Sequence, residues 1–183
     1  MSMNTYIVHE IAFYFDEKVR AFLTRAMNRA SGLNYEFDND PEFYEKVMRG
    51  EIPEDYLLDP SEVATAFDDG TYFNEFEGHV TTIDECKEER RVVDCHISNE
   101  GKMLVDGHRV QEPVSSPLDE RLEDDGIAIL HLDHEPSLFK QAYSSVDEII
   151  DEVREKLGDD AKEIPEEYDL RRNICLVSGT YFC

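Results

Sequence analysis

The sequence predicts an α+β fold: one domain, residues 1–183, in which helices flank consecutive antiparallel strands. Three observations carry this expectation. Apolar residues recur at helical spacing after residue 16 and again after residue 145, alternating β-rich segments fill the middle, and an apolar run bounded by turn residues spans 126–133. The hydrophobic content is 40%, with ten Phe and nine Tyr, so a chain of 183 residues can bury a core although 33% of it is charged.

The first segment, "TYIVHEIAFYF", reads two ways. Its composition suits a strand, whereas Val8, Ile11, Ala12 and Phe15 extend a helical stripe. A helix near 17–31 follows, with Val19, Phe22, Leu23, Ala26, Met27 and Ala30 on one face, Asp16 as N-cap and Gly32 as the stop. Between 41 and 68, short acidic helices begin at Pro41 ("PEFYEKVM") and Ser61 ("SEVATAF"), joined by the turn-rich "RGEIPEDYLLDP". From Phe76 the texture is β. "FEGHVTTI" is a strand, and "RRVVDCHIS" with "KMLVDGHRV" forms a hairpin near 91–110 around Asn99, Glu100 and Gly101. Residues 111–125, with two prolines and many acids, read as an exposed acidic loop. "GIAILHLD", near 126–133, is a central strand, apolar on both faces. Ser145 and Glu148 make a capping box that opens a helix near 146–157, its inner face Val146, Ile149, Ile150, Val153 and Leu157, ended by Gly158. "NICLVSGTYF" closes the chain as a strand near 173–182. The expected sheet is antiparallel with about four to six strands.

The formal net charge is -25, and it is unevenly placed. The first 30 residues hold four bases and three acids, residues 34–70 hold twelve acids against one Lys and one Arg, and residues 112–135 hold eight acids against one base. Such a field repels nucleic acid and anionic membranes and attracts basic surfaces or cations. The chain has no apolar run long enough for a membrane span and no signal-peptide pattern at its start, which points to the cytoplasm. Cysteines 86, 95, 175 and 183 lack a disulfide framework and are expected as reduced thiols.

No Gly-rich phosphate loop, dinucleotide fingerprint, esterase elbow or His-Glu-x-x-His helix occurs, and abundant carboxylates say nothing about acid/base catalysis, so the expected protein is not an enzyme. One constellation is suited to a metal. Val93-Asp94-Cys95-His96 recurs as Val105-Asp106-Gly107-His108, and a turn at 99–101 pairs Cys95 with Val105 and Ile97 with Met103. Asp94 would then oppose Asp106, with His96 and His108 diagonal to them, offering oxygen and nitrogen ligands to a divalent metal. The bland alternative is histidines relieving repulsion on a solvated face. His131-Leu132-Asp133-His134 resembles a ligand set, but positions 131 and 134 of a strand point to opposite faces. No other cofactor is expected.

The acid-rich segments offer a different chemistry. Carboxylates three or four residues apart on a helix stand about 5–6 Å apart, comparable with successive phosphates on a nucleic-acid strand. A basic groove built for nucleic acid would bind them with affinity that falls with salt. The candidate acids are Glu36, Asp38, Asp40, Glu42, Glu45, Glu51, Glu54, Asp55, Asp59, Asp68 and Asp69, followed by Asp119, Glu120, Glu123, Asp124 and Asp125 in the second belt. Tyr35, Phe43, Tyr44 and Tyr56 are candidate aromatic anchors, with Phe37 and Phe67 in the same stretch; about half are expected to pack under the short helices instead.

This acidic, motif-free profile, with stretches such as "EFDNDPEFYE" and "PLDERLEDDG", resembles the phage and mobile-element inhibitors of host defence nucleases, including anti-CRISPR and antirestriction DNA mimics. The resemblance is compositional and carries no alignable motif. It implies a non-catalytic inhibitor in the bacterial cytoplasm that docks on the nucleic-acid-binding surface of a nuclease such as a CRISPR effector. The alternatives are the metal module on 94/96/106/108, an acidic adaptor or assembly protein, and adaptation to high salt, against which the uneven charge argues.

Overall fold

The computed structural model describes residues 5–82, 95–97, 103–105, 108–109, 126–133 and 146–182. Strand β1 (Thr5–Tyr14) resolves the ambiguous first segment. Ile11 and Phe13 are buried on one face, Val8 and Ala12 on the other. A strand covered on both faces loses its period-two pattern, which is why its apolar residues mimic a helical stripe. Helix α1 (Glu17–Ala30) follows at once, capped where Asp16 Oδ1 accepts from the Val19 N–H at 2.9 Å, with Val19, Phe22, Leu23 and Ala26 buried. It ends at Ser31, before Gly32 with φ of 71°.

A single 3-10 turn at Phe37–Asn39 leads to helix α2 (Phe43–Arg49), stopped by Gly50 with φ of 78°. Helix α3 (Pro60–Thr65) starts one residue earlier than the sequence suggested. Asp59 is its cap: the Asp59 N–H donates to Glu62 Oε2 at 3.0 Å, and Pro60 takes the first helical position, where no N–H is needed. Strands β2 (Gly70–Phe73) and β3 (Phe76–Thr82) come next. The short strands β4 (Cys95–Ile97), β5 (Met103–Val105) and β6 (His108–Arg109) follow. Strand β7 (Ile127–His131), helix α4 (Val146–Leu157), 3-10 segments at Gly158–Glu163 and Leu170–Asn173, and strand β8 (Ile174–Phe182) complete the described elements. They make an α+β fold.

Five strands form an antiparallel sheet in the order β2-β7-β1-β8-β3. The two ends of the chain pair along its middle, from Thr5 opposite Phe182 to Phe13 opposite Ile174. One face carries Ile11, Phe13, Ala128, Leu130, Ile174 and Leu176 and packs with Phe22, Phe43, Val63, Ile149 and Val153 from all four helices. The other carries Val8, Ala12, Phe73, Phe76, Ile127, Ile129 and Val177. Burying each large apolar side chain contributes on the order of 1.5–3 kcal/mol, and among the described residues the helix-bearing face holds more of them.

Two expectations need correction. The hairpin strands do not extend the main sheet: β4-β5-β6 is a separate three-stranded sheet. Its β4–β5 register is the expected one, Cys95 opposite Val105 and Ile97 opposite Met103. However, "KMLVDGHRV" is two strands, with Val105 opposite His108 and Leu104 opposite Arg109. Asp106-Gly107, which separates them, is a dipeptide favoured in two-residue hairpin loops. Position 108 therefore shares a face with 95 and 105, while position 96 shares one with 104 and 109. Positions 96 and 108 thus fall on opposite faces of this sheet, whereas the expected register put them on one. Asp94 and Asp106 lie outside the described residues.

Candidate functional site

The acidic region has an inner and an outer side. Inside, Phe43 is 1% exposed, edge-on to Phe22 with ring centroids 6.4 Å apart. Tyr56 is buried against Phe37 at 4.7 Å, and Phe67 stacks on Phe15 at 5.9 Å. Phe43 and Tyr56 are thus core residues and not surface anchors: α2, two turns long, is held down by Phe43 and Val47, and Tyr56 packs on Phe37 and Phe43. Asp38 is likewise withdrawn from the candidate surface: 3% exposed, it accepts hydrogen bonds from the Tyr56 hydroxyl and from Asn28 Nδ2 (3.2 Å) in α1. Burial and the Asp38 carboxylate both push the Tyr56 hydroxyl well above its ordinary pKa, so it stays protonated and donates.

Outside, the remaining acids face solvent. Glu36, Glu42, Glu45, Glu51, Glu54, Asp55, Asp59, Asp68 and Asp69 are exposed, and Asp40 is half-buried. Asp40 pairs with Lys46 at 2.5 Å, whose hydrogen bond holds its pKa below the ordinary carboxylate value. Arg49 reaches Glu51 at 3.0 Å and Glu45 at 3.9 Å, and Lys156 reaches Asp69 at 3.0 Å. Among the described residues no ion pair neutralises Glu36, Glu42, Glu54, Asp55, Asp59 or Asp68. Tyr35 (46% exposed) and Tyr44 (36%) remain as accessible aromatics, joined by Leu33 and Met48.

The cations of α1 that fasten this region spare its carboxylates; the acids that do tie it to the rest of the molecule are Asp38, through Asn28, and Asp69, through Lys156. Three cations of α1 reach into it, and each takes something other than an acid there. Lys18 Nζ donates to the Met48 carbonyl at 2.7 Å, and Arg20 Nη1 to the Leu58 carbonyl at 3.0 Å. The Arg25 guanidinium lies over the Phe43 and Tyr44 rings at 4.5 and 4.9 Å. Its carboxylate neighbour is Glu163, 3.6 Å away, which also pairs with Arg29 and accepts from the Tyr44 hydroxyl at 3.3 Å. These three contacts hold the segment to the core without engaging its acids.

A second polar group sits on the opposite face of the sheet, and sequence reasoning missed its assembly. His131 at the end of β7 is hydrogen-bonded through Nδ1 to Glu10 Oε2 (2.5 Å, β1) and through Nε2 to Thr71 Oγ1 (2.8 Å, β2). The Glu10 hydrogen bond raises the imidazole pKa, desolvation opposes it, Asp69 adds to the rise and Lys156 reduces it. The signals in the sequence were His131 itself, in the ligand-like run 131–134, and a lone Glu within the apolar β1 sequence; nothing local joined them. Beside it, Lys156 gathers Asp69, Asp133 (3.4 Å) and Glu152 (3.6 Å).

Asp119, Glu120, Glu123, Asp124 and Asp125 lie outside the described residues. Among the described residues no group of three or more His, Cys, Asp or Glu side chains is placed to hold a metal ion, and no helix is long and apolar enough to cross a membrane. These features define an α+β protein bearing an acidic, helix-supported surface. A scan against family models and searches of curated proteins and of solved structures return no match.

Proposed function

We propose that the protein is an acidic binding protein that docks through residues 34–70 on the basic nucleic-acid-binding surface of a partner and occludes it by DNA mimicry. The partner is a defence nuclease, of the CRISPR or restriction type, in a bacterial cytoplasm that a phage or mobile element has entered. The supporting observation is that Glu36, Glu42, Glu54, Asp55, Asp59 and Asp68 stay exposed and outside any ion pair among the described residues, although three neighbouring cations contact the same segment. A fold that needed these acids only for internal pairing would have used those cations to neutralise them.

Tyr35 and Tyr44 supply contact area among the charges, and the Phe43, Tyr56 and Asp38 anchors pre-order the region so that little entropy is lost on docking. Binding of this kind requires no chemical step at the docking face. The test is DNA cleavage by a panel of purified CRISPR effectors and restriction nucleases with the protein added. Inhibition relieved by excess duplex DNA and by salt supports the proposal; a panel in which cleavage is untouched at low salt counts against it.

A further inference from the structure

We propose that Thr71, His131 and Glu10 form an acyl-transfer centre in which Thr71 Oγ1 is a nucleophile toward activated esters. This inference is independent of the docking surface. The three residues come from the adjacent strands β2, β7 and β1. Thr71 pairs with Ile129, two residues before His131, and His131 pairs with Ala12, two residues after Glu10, so the three positions share one face in a diagonal row. The resulting order is hydroxyl, imidazole, carboxylate, at 2.8 and 2.5 Å.

The order decides the tautomer. The Glu10 carboxylate can only accept, so Nδ1 carries the proton, and in the neutral ring the Nε2 lone pair faces the Thr71 hydroxyl. That is the arrangement a hydroxyl nucleophile, its base and a positioning carboxylate require. The backbone holds it in place, with the His131 N–H donating to the Asp69 carbonyl at 2.8 Å. The group is also reachable: the His131 and Glu10 side chains are 36% and 26% exposed, and β2 is an edge strand of the five-stranded sheet.

In the reaction, Thr71 Oγ1 bonds to the carbonyl carbon of the ester while its proton passes to His131 Nε2. The tetrahedral adduct then breaks its bond to the leaving oxygen, which departs with that proton. Water adds to the acyl-threonine under the same base, releasing a carboxylic acid and regenerating the hydroxyl. Glu10 is a positioning residue.

The probe is p-nitrophenyl acetate with the full chain, read by p-nitrophenolate release and by peptide mapping of acetylated residues. We expect one acetyl group on Thr71, retained in Thr71→Ser and lost in the nearly isosteric Thr71→Val. His131→Gln should slow acetylation of residue 71 by about 10²-fold. Glu10→Gln should move the pH profile of the release to lower pH, because the partner that raises the imidazole pKa is gone. Acetyl groups only on lysines, release unchanged in folded Thr71→Val, or equal labelling of residue 71 with and without His131 would overturn the proposal; melting curves of each variant confirm folding.

Discussion

The first thirty residues and the acidic region that follows them use charge in opposite ways. In β1 and α1 charged side chains serve the fold: Asp16 caps α1, Glu10 holds His131, and Lys18, Arg20 and Arg25 fasten the next segment. In residues 34–70 most carboxylates are exposed, and Glu36, Glu42, Glu54, Asp55 and Asp68 form no ion pair among the described residues, while the aromatics between them are divided between core and surface. Burial and exposed charge are thus handled largely by different residues of one short segment, so the two can be perturbed separately.

The largest effect should come from the inner side. Phe43→Ala leaves a cavity between α2 and α1 and should lower unfolding free energy by about 3–5 kcal/mol, measured by urea denaturation. Tyr44→Ala, one residue on and 36% exposed, should cost far less; equal costs would erase the distinction between the two sides. Next is Asp38→Ala, which strands the buried Tyr56 hydroxyl and Asn28 amide and should cost about 1–3 kcal/mol. Glu42→Ala, on the outer side, should stay within about 0.5 kcal/mol of the parent.

A smaller effect sharpens the comparison through pH. His131 has a raised folded pKa because it gains Glu10, so its contribution is fully present below the unfolded value of about 6.5 and is lost as pH rises through the folded value. With the ring more than a third exposed, solvent screening keeps this below about 1 kcal/mol. Melting temperature followed across that window should fall with pH in the parent and less steeply in Glu10→Gln; parallel curves would remove Glu10 as the cause.

Much of the fold was legible because local signals agreed. Helix α1 has its cap at Asp16 and its stop at Gly32, and α4 keeps Ile149, Val153 and Leu157 on one buried face. The apolar stretches at 127–131 and 174–182 read as strands, and the β4–β5 register is the one that a turn expected at 99–101 implies. β1 was ambiguous because both faces are covered, and β2 was missed because Gly70–Phe73 is too short to show a period.

The candidate site was legible only by composition. Whether a carboxylate is surface or core depended on distant partners, Asn28 and Tyr56 for Asp38. The Thr71–His131–Glu10 row depends on strand order, which places residues 60 and 121 positions apart in contact and leaves no local trace.

The most direct test of the docking account is charge reversal on the outer side alone, Glu36→Lys, Glu42→Lys, Glu54→Lys and Asp55→Lys combined, assayed for inhibition of whichever panel nuclease the parent blocks. Expected are an unchanged cooperative unfolding transition, loss of inhibition, and in the parent a binding constant that falls steeply with salt. Inhibition by the folded variant equal to that of the parent, with no dependence on salt, would contradict it.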